Sequence, residues 1–233
     1  MAGLAVFDLD GTVARRDTLL PWLGFCLRQH PDRWLRVPAT LPALLRFAFD
    51  GDRGRLKAAL VHRLLAGLSR GEIADANRQF LRWLFDGRLF GEALERIAQH
   101  RSLGDTLVLL SASVDPYVPD IAAELGFDEC ECTTVRWQRD GTLDGRLLGE
   151  NRRGEEKVRV LRALLARLSP SRTSAYGNSS ADLPHLRLVD EGWYVNGPPR
   201  DAHGMPHVRC VRWHRRGVAP LRSDVHTPGS PSP

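Results

Sequence analysis

Ala5-Val6-Phe7-Asp8-Leu9-Asp10-Gly11-Thr12, almost at the N-terminus, is the stretch whose reading decides the fold. The apolar run from Leu4 to Phe7 reads as a buried strand, and it breaks at two aspartates, a glycine and a threonine. Alternate side chains of a strand share a face, so Asp8 and Asp10 can point at the same spot. Two carboxylates so placed at a strand end are costly unless they bind a cation or do chemistry. Gly11 lets the backbone turn sharply and approach a ligand. The chemical reading is a carboxylate nucleophile, a neighbouring acid/base and a hard metal ion. The plain alternative is an acidic turn at a strand end.

Working outward, Asp17 to Phe90 reads as helical throughout. Trp34 to Phe49 is apolar at most positions and is interrupted by Pro38 and Pro42. Arg55 to Leu68 is amphipathic, with Leu56, Leu60, Leu64 and Leu68 at four-residue spacing. Ser69-Arg70-Gly71-Glu72 matches a capping box that opens a further helix through Phe85. After Phe90 the pattern alternates. Helices are expected over 90–100, 115–125, 155–168 and up to Val189, and strands over 106–110, 129–135, 173–176 and 193–195. Val208 to Trp213 reads as one more strand, and Arg139-Asp140-Gly141-Thr142 as a hairpin turn.

Strand–helix alternation argues for an α/β, Rossmann-like parallel sheet with helices on both faces. The helical stretch after the first strand argues for an inserted cap. The expected division is a core of 1–14 and 88–214, a helical cap of 15–87, and a disordered Pro/Gly/Ser/Arg tail of 215–233.

The 233 residues carry 33 basic and 28 acidic side chains, a net charge of +5. Lys57 and Lys157 are the only lysines. Such a surface suits anionic substrates, but no basic stripe with interleaved aromatics appears, so nucleic acid is not an expected partner. Cys26, Cys130, Cys132 and Cys210 form no zinc pattern and read as reduced thiols. No leader precedes the first strand and no apolar run is long enough to span a membrane, so a cytoplasmic location is expected.

In open parallel sheets ligands bind beyond the carboxyl ends of the strands. Asp8/Asp10/Thr12, Ser111/Ser113, Lys157 and Asn178/Asp182 all fall at such strand ends or at helix starts, and together they suit one phosphate. Each alone has an ordinary reading as a cap or a solvated side chain.

In that order and placement the chain resembles the haloacid dehalogenase superfamily, in its phosphoserine phosphatase-like branch with a C1-type cap. The D-x-D-x-T motif stands as Asp8-Leu9-Asp10-Gly11-Thr12. The apolar strand ending in Ser is Leu107 to Ser111, the lysine is Lys157, and the acidic loop is Gly177-Asn178-Ser179-Ser180-Ala181-Asp182.

The resemblance implies a phosphatase acting on a small-molecule phosphate ester through an aspartyl-phosphate. Asp8 is implied as nucleophile and Asp10 as acid/base. Gly11, Thr12, Ser111, Ala112 and Lys157 are implied around the phosphoryl group. Mg²⁺ is implied on Asp8, Asp10, Asn178 and Asp182, with Asp182 alternatively orienting Lys157. Asn178 stands where the family has an aspartate, so weaker Mg²⁺ binding is expected. Arg153 competes with Lys157 for the cation's role. Asp17 stands where relatives recognise a substrate amine, and equally at a helix N-cap. The apolar cap stretch from Trp34 to Phe49 reads as the cap's own packing or as a peripheral lipid contact. A phosphatidylglycerophosphate or other lipid head-group phosphatase, a catalytically weak binding or regulatory protein, and phosphotransfer to an acceptor other than water are the competing functions.

Overall fold

The computed structural model describes residues 2–214, and the tail expected from Arg215 onward lies outside them. Eight strands are assigned there: β1 (Leu4–Phe7), β2 (Thr106–Val114), β3 (Glu129–Thr133), β4 (Val135–Trp137), β5 (Leu143–Leu147), β6 (Thr173–Gly177), β7 (Glu191–Val195) and β8 (Val208–Val211). Helices are α1 (Leu19–Gln29), α2 (Leu41–Asp50), α3 (Arg53–Leu65), α4 (Arg70–Phe85), α5 (Gly91–Ser102), α6 (Val118–Glu124), α7 (Glu155–Leu168) and α8 (Leu183–Leu186). The expected α/β architecture is present. Six strands make one parallel sheet in the order β3-β2-β1-β6-β7-β8.

A parallel sheet is buried on both faces, and the period of two in β1 and β2 shows how. Ala5, Phe7, Leu107 and Leu109 face one apolar cluster, and Leu4, Val6, Val108 and Leu110 face the other. The second cluster is closed by Val160, Leu161 and Leu164 of α7 with Leu183 and Leu186 of α8. The first runs through α5 and α6 and continues without a break into Trp22 of α1, Leu60 and Leu64 of α3 and Phe80 of α4. Fully burying a side chain of this size contributes about 1.5–3 kcal/mol.

Polar contacts fix the angle between the layers. Trp22 Nε1 donates to Asn77 Oδ1 at 2.7 Å, and Asn77 Nδ2 donates to the Pro116 carbonyl at 2.7 Å. The Trp22 ring stacks on Tyr117 at 4.7 Å between centroids. The helical insertion is thereby seated on the loop that follows β2.

Several sequence boundaries move. The 17–90 stretch is not continuous α-helix, because Pro31–Thr40, with prolines at 31 and 38, winds as a 3-10 helix between α1 and α2. Strand β2 does not stop at Leu110. A shift of its register against β3 between Leu110 and Val114 carries the strand on through the serines. The expected 129–135 strand ends at Thr133, because the Val135 N–H is taken by Asp115 Oδ1 at 2.9 Å and the chain turns out of the sheet.

Val135 instead begins the β4–β5 hairpin, which pairs with the cap. Gly67 N–H donates to the Leu143 carbonyl at 2.8 Å, and Leu143 N–H to the Leu68 carbonyl at 2.7 Å. Gly145, at φ 82°, lies so close that a Cβ would come within 2.9 Å of the His62 backbone. All four cysteines are free. Among the described residues no helix is long and apolar enough to cross a membrane.

The expected capping box at α4 is formed in full. Glu72 N–H donates to Ser69 Oγ at 3.3 Å, and Ser69 N–H donates to Glu72 Oε2 at 2.8 Å. Ser69→Ala is expected to destabilise the fold by about 1 kcal/mol. The check is a lowered urea midpoint with unchanged slope.

Candidate active site

Strand β1 lies between β2 and β6, so the residues just beyond its carboxyl end face loops from both neighbours. The Leu9 carbonyl accepts the Thr12, Val13 and Ala14 amides and folds the chain back at once. Gly11 sits at φ 81°, and a Cβ there would come within 2.0 Å of Asn178 Nδ2. Glycine is needed for both the turn and the approach.

Asp8 is buried. Its Oδ1 accepts from Lys157 Nζ at 2.6 Å and its Oδ2 from Thr12 Oγ1 at 3.1 Å. Lys157 reaches it from the first turn of α7 and also meets Asp182 Oδ1 at 2.6 Å. The other oxygen of Asp182 accepts from Ser179 Oγ at 2.7 Å and Ser179 N–H at 3.0 Å. One ammonium therefore serves two buried carboxylates.

Burial pushes Asp8 up to about 7 against the pull of Lys157, and the charges on Asp182 and Asp10 add to the rise. Burial works against ionising Lys157 too, but its two carboxylates win and hold its proton more tightly than usual. Asp182, although buried, is held below the usual carboxylate range by Lys157.

Asp10 is oriented separately. Thr18 donates its N–H at 2.8 Å and its Oγ1 at 2.7 Å to Oδ1, and Ser113 Oγ donates to Oδ2 at 2.6 Å. Burial raises its pKa, and the charge of Asp17 raises it further. A half-buried carboxyl shifted toward protonation, fixed on both oxygens beside a second carboxylate, is placed to move a proton.

Asp8, Asp10, Lys157, Asn178 and Asp182 line a cavity of about 630 Å³ between core and cap. Ala112 and Gly11 also line it, whereas Thr12 and Ser111 lie fully buried beneath its wall. Ser111 Oγ is occupied by the Ser113 amide at 3.0 Å. Arg153 lines the cavity while Lys157 makes the contact to Asp8. Asp17 is exposed at the mouth, one residue before Thr18, the N-cap of α1, and its Oδ1 accepts the Leu19 N–H at 3.0 Å.

Among the described residues no three His, Cys, Asp or Glu side chains form a cage for a metal ion. The carboxylates of Asp8, Asp10 and Asp182 and the side-chain amide of Asn178 face the cavity, with the Lys157 ammonium paired to Asp8 and Asp182. The buried Asp8 and the half-buried Asp10, whose ionised forms desolvation penalises, together with the Asn178 amide fit a hard cation that keeps several of its waters.

Several cavity residues carry no motif in the sequence, among them Arg53, Asn151 and Lys57. Lys57 of α3 is buried, and its Nζ donates to the Ala112 carbonyl and, at 3.1 Å, to Asn151 Oδ1. Burial lowers it to about 8. Its only signal in the chain is that it is one of two lysines among many arginines. The structure makes it the cation by which the cap holds the strand end that carries Ser111 and Ser113.

The haloacid dehalogenase-like hydrolase family matches residues 5–187, a span that holds every residue of this cluster. The chain belongs to that family. It is 35% identical over 195 residues to protein CicA of Caulobacter vibrioides, covering 82% of this chain and 85% of that one. It is 26% identical over 205 residues to a histidinol-phosphatase of Neisseria meningitidis, covering 84% and 91%. A protein of unknown function from Bordetella pertussis shares the fold, with a TM-score of 0.77 at 23% identity over 91% of this chain and 98% of that one.

The lowered Lys57 has a consequence for stability. Below about 8 the lysine is protonated in both states, and between there and 10.5 only the unfolded state keeps the proton. Stability therefore gains with rising pH across that window, by about 3 kcal/mol at most relative to Lys57→Met. Urea unfolding of both proteins at several pH values checks this. Parallel stability curves would refute the buried, charged lysine.

Proposed function

We propose that this phosphoric monoester hydrolase works through an aspartyl-phosphate on Asp8, with Mg²⁺, on a small phosphorylated metabolite such as phosphoserine. The observation that carries the reading is the Asp8–Lys157–Asp182 cluster, with Asp10 fixed beside it at the floor of the cavity. An Asp8 oxygen attacks phosphorus, the ester P–O bond breaks, and the leaving oxygen takes the Asp10 proton. Water then attacks the phosphorus of the acyl phosphate and gives its proton to Asp10, which releases phosphate and restores Asp8. Lys157 offsets the charge on the phosphoryl oxygens. Gly11, Thr12, Ser111 and Ala112 belong to the two strand ends that enclose the phosphoryl group.

Asp8, Asp10 and Asn178 would hold Mg²⁺, with Asp182 behind them orienting Lys157. Bound there, the cation supplies Lewis-acid polarisation of a phosphoryl oxygen. Lys57, Arg53 and Arg153 on the cavity wall suit a substrate with a second anionic group, and Asp17 at the mouth suits an amine. The four free thiols support a reducing, cytoplasmic setting.

The test is phosphate release from p-nitrophenyl phosphate, phosphoserine, glycerol phosphate and histidinol phosphate, with Mg²⁺ or EDTA. Metal-dependent turnover is expected, reduced on the order of 10³-fold or more in Asp8→Asn. Turnover that survives Asp8→Asn would overturn the covalent route. No turnover on any ester at high Mg²⁺ would favour a binding role. A separate titration addresses Asn178. Asn178→Asp restores a negative charge and is expected to reach half-maximal rate at lower Mg²⁺, and an unchanged requirement would remove Asn178 from the metal site.

A further inference from the structure

Seven of the nine large apolar side chains left exposed among the described residues lie on one region of the cap: Leu20, Trp34, Leu35, Leu41, Leu44, Leu45 and Phe49. Helix α2 buries none of its residues, and Leu35 and Phe49 are 86% and 91% exposed. The cap's own packing takes up Val37 and Thr40 and half-buries Ala43 and Phe47, but it does not account for the exposed leucines, Trp34 and Phe49. Nor is the stretch loosely attached. The buried Arg33 donates to the Leu64 carbonyl at 3.2 Å and the Ala66 carbonyl at 2.8 Å, and Arg36 also reaches Ala66, which ties the 3-10 turn to the end of α3.

Its charge has a single sign. From Trp34 to Phe49 the only ionisable side chains are Arg36 and Arg46, both exposed, with no carboxylate among them. We propose that this face docks peripherally on an anionic lipid bilayer. Leucine and phenylalanine would enter the acyl boundary, tryptophan would sit at headgroup level, and arginine would meet lipid phosphates.

Three observations favour that occupant. A two-fold pair of identical copies on this face would bring mainly cationic surfaces together, because the adjacent carboxylate, Asp50, is already taken by Arg46 at 3.2 Å and Arg55 at 3.1 Å. A protein partner needs hydrogen-bonding groups, and the one hydroxyl here, Thr40 Oγ1, is spent on the Val37 carbonyl at 2.7 Å. The face also reaches the rim of the catalytic cavity, where Leu20 and Phe47 stand beside Arg16 and Arg53. A bilayer seated there would meet apolar and cationic groups together.

The experiment is co-sedimentation of the full chain with phosphatidylcholine vesicles and with vesicles containing added phosphatidylglycerol, at low and high salt. Binding is expected to the anionic vesicles and to weaken with salt. A Leu35→Glu/Phe49→Glu variant is expected to lose about tenfold or more in partitioning. It should keep its thermal melt and its turnover of p-nitrophenyl phosphate. Leu41→Ser/Leu45→Ser provides a second pair should the first fail to fold. Asp8→Asn should bind vesicles as wild type does, so docking and catalysis fail or stand separately. Absence of binding to either vesicle, equal binding by the folded variants, or a dimer in light scattering that the variants dissolve without any vesicle binding would each overturn the proposal.

Discussion

Lys157, 2.6 Å from both Asp8 and Asp182, is the interaction on which the rest of the structure depends. It joins three separate pieces of chain, the end of β1, the first turn of α7 and the loop after β6. Removing one partner from a buried ionic cluster leaves an uncompensated charge, and typically costs about 3–5 kcal/mol. The cluster therefore constrains where α7 and the 177–182 loop can sit relative to β1. It also leaves Asp8 incompletely neutralised, because one cation is shared by two anions and Asp10 adds a third charge nearby. Burial makes that uncompensated charge costly, which is the main reason the Asp8 carboxyl is shifted toward protonation.

The cap is part of the same arrangement. The apolar cluster under β1 and β2 runs into α1, α3 and α4 without a polar seam, so the cap and that face of the core share their packing. This shared packing places Lys57 over the Ala112 carbonyl and Thr18 against Asp10. Tyr117 OH, 2.8 Å from Thr18 Oγ1, carries the contact back to the loop after β2. The Asp10 carboxyl is thus held by one residue from the insertion side, Thr18, and one from the core, Ser113. Any movement of the cap would be felt directly at Asp10.

Much of the site is legible locally because its determinants are local. A strand of Leu-Ala-Val-Phe ending in Asp-Leu-Asp-Gly-Thr fixes the two carboxylates and the tight turn within nine residues. The capping box at Ser69 and the helix from Glu155 to Leu168 likewise depend on neighbours a few positions apart. What the sequence misplaces depends on distant partners. Strand β2 continues through Ser111 and Ser113 because of its register with β3. Val135 leaves the sheet because a carboxylate twenty residues earlier in the chain takes its amide. Lys57 looks like a surface lysine on an amphipathic helix until the fold buries it against Ala112 and Asn151.

The sequence by itself determined the strand–helix alternation, the helical insertion, and the identity and order of the groups that form the cluster, because periodicity and turn chemistry act over a few residues. Only the tertiary structure decided which carboxylates Lys157 would join, that Thr18 and Ser113 would orient Asp10, and that Lys57 would face the cavity. It also decided that most of the large apolar side chains from Trp34 to Phe49 would be left uncovered. Those outcomes depend on distance and burial between residues far apart in the chain, and pairing, desolvation and exposure are properties of that arrangement rather than of residue type.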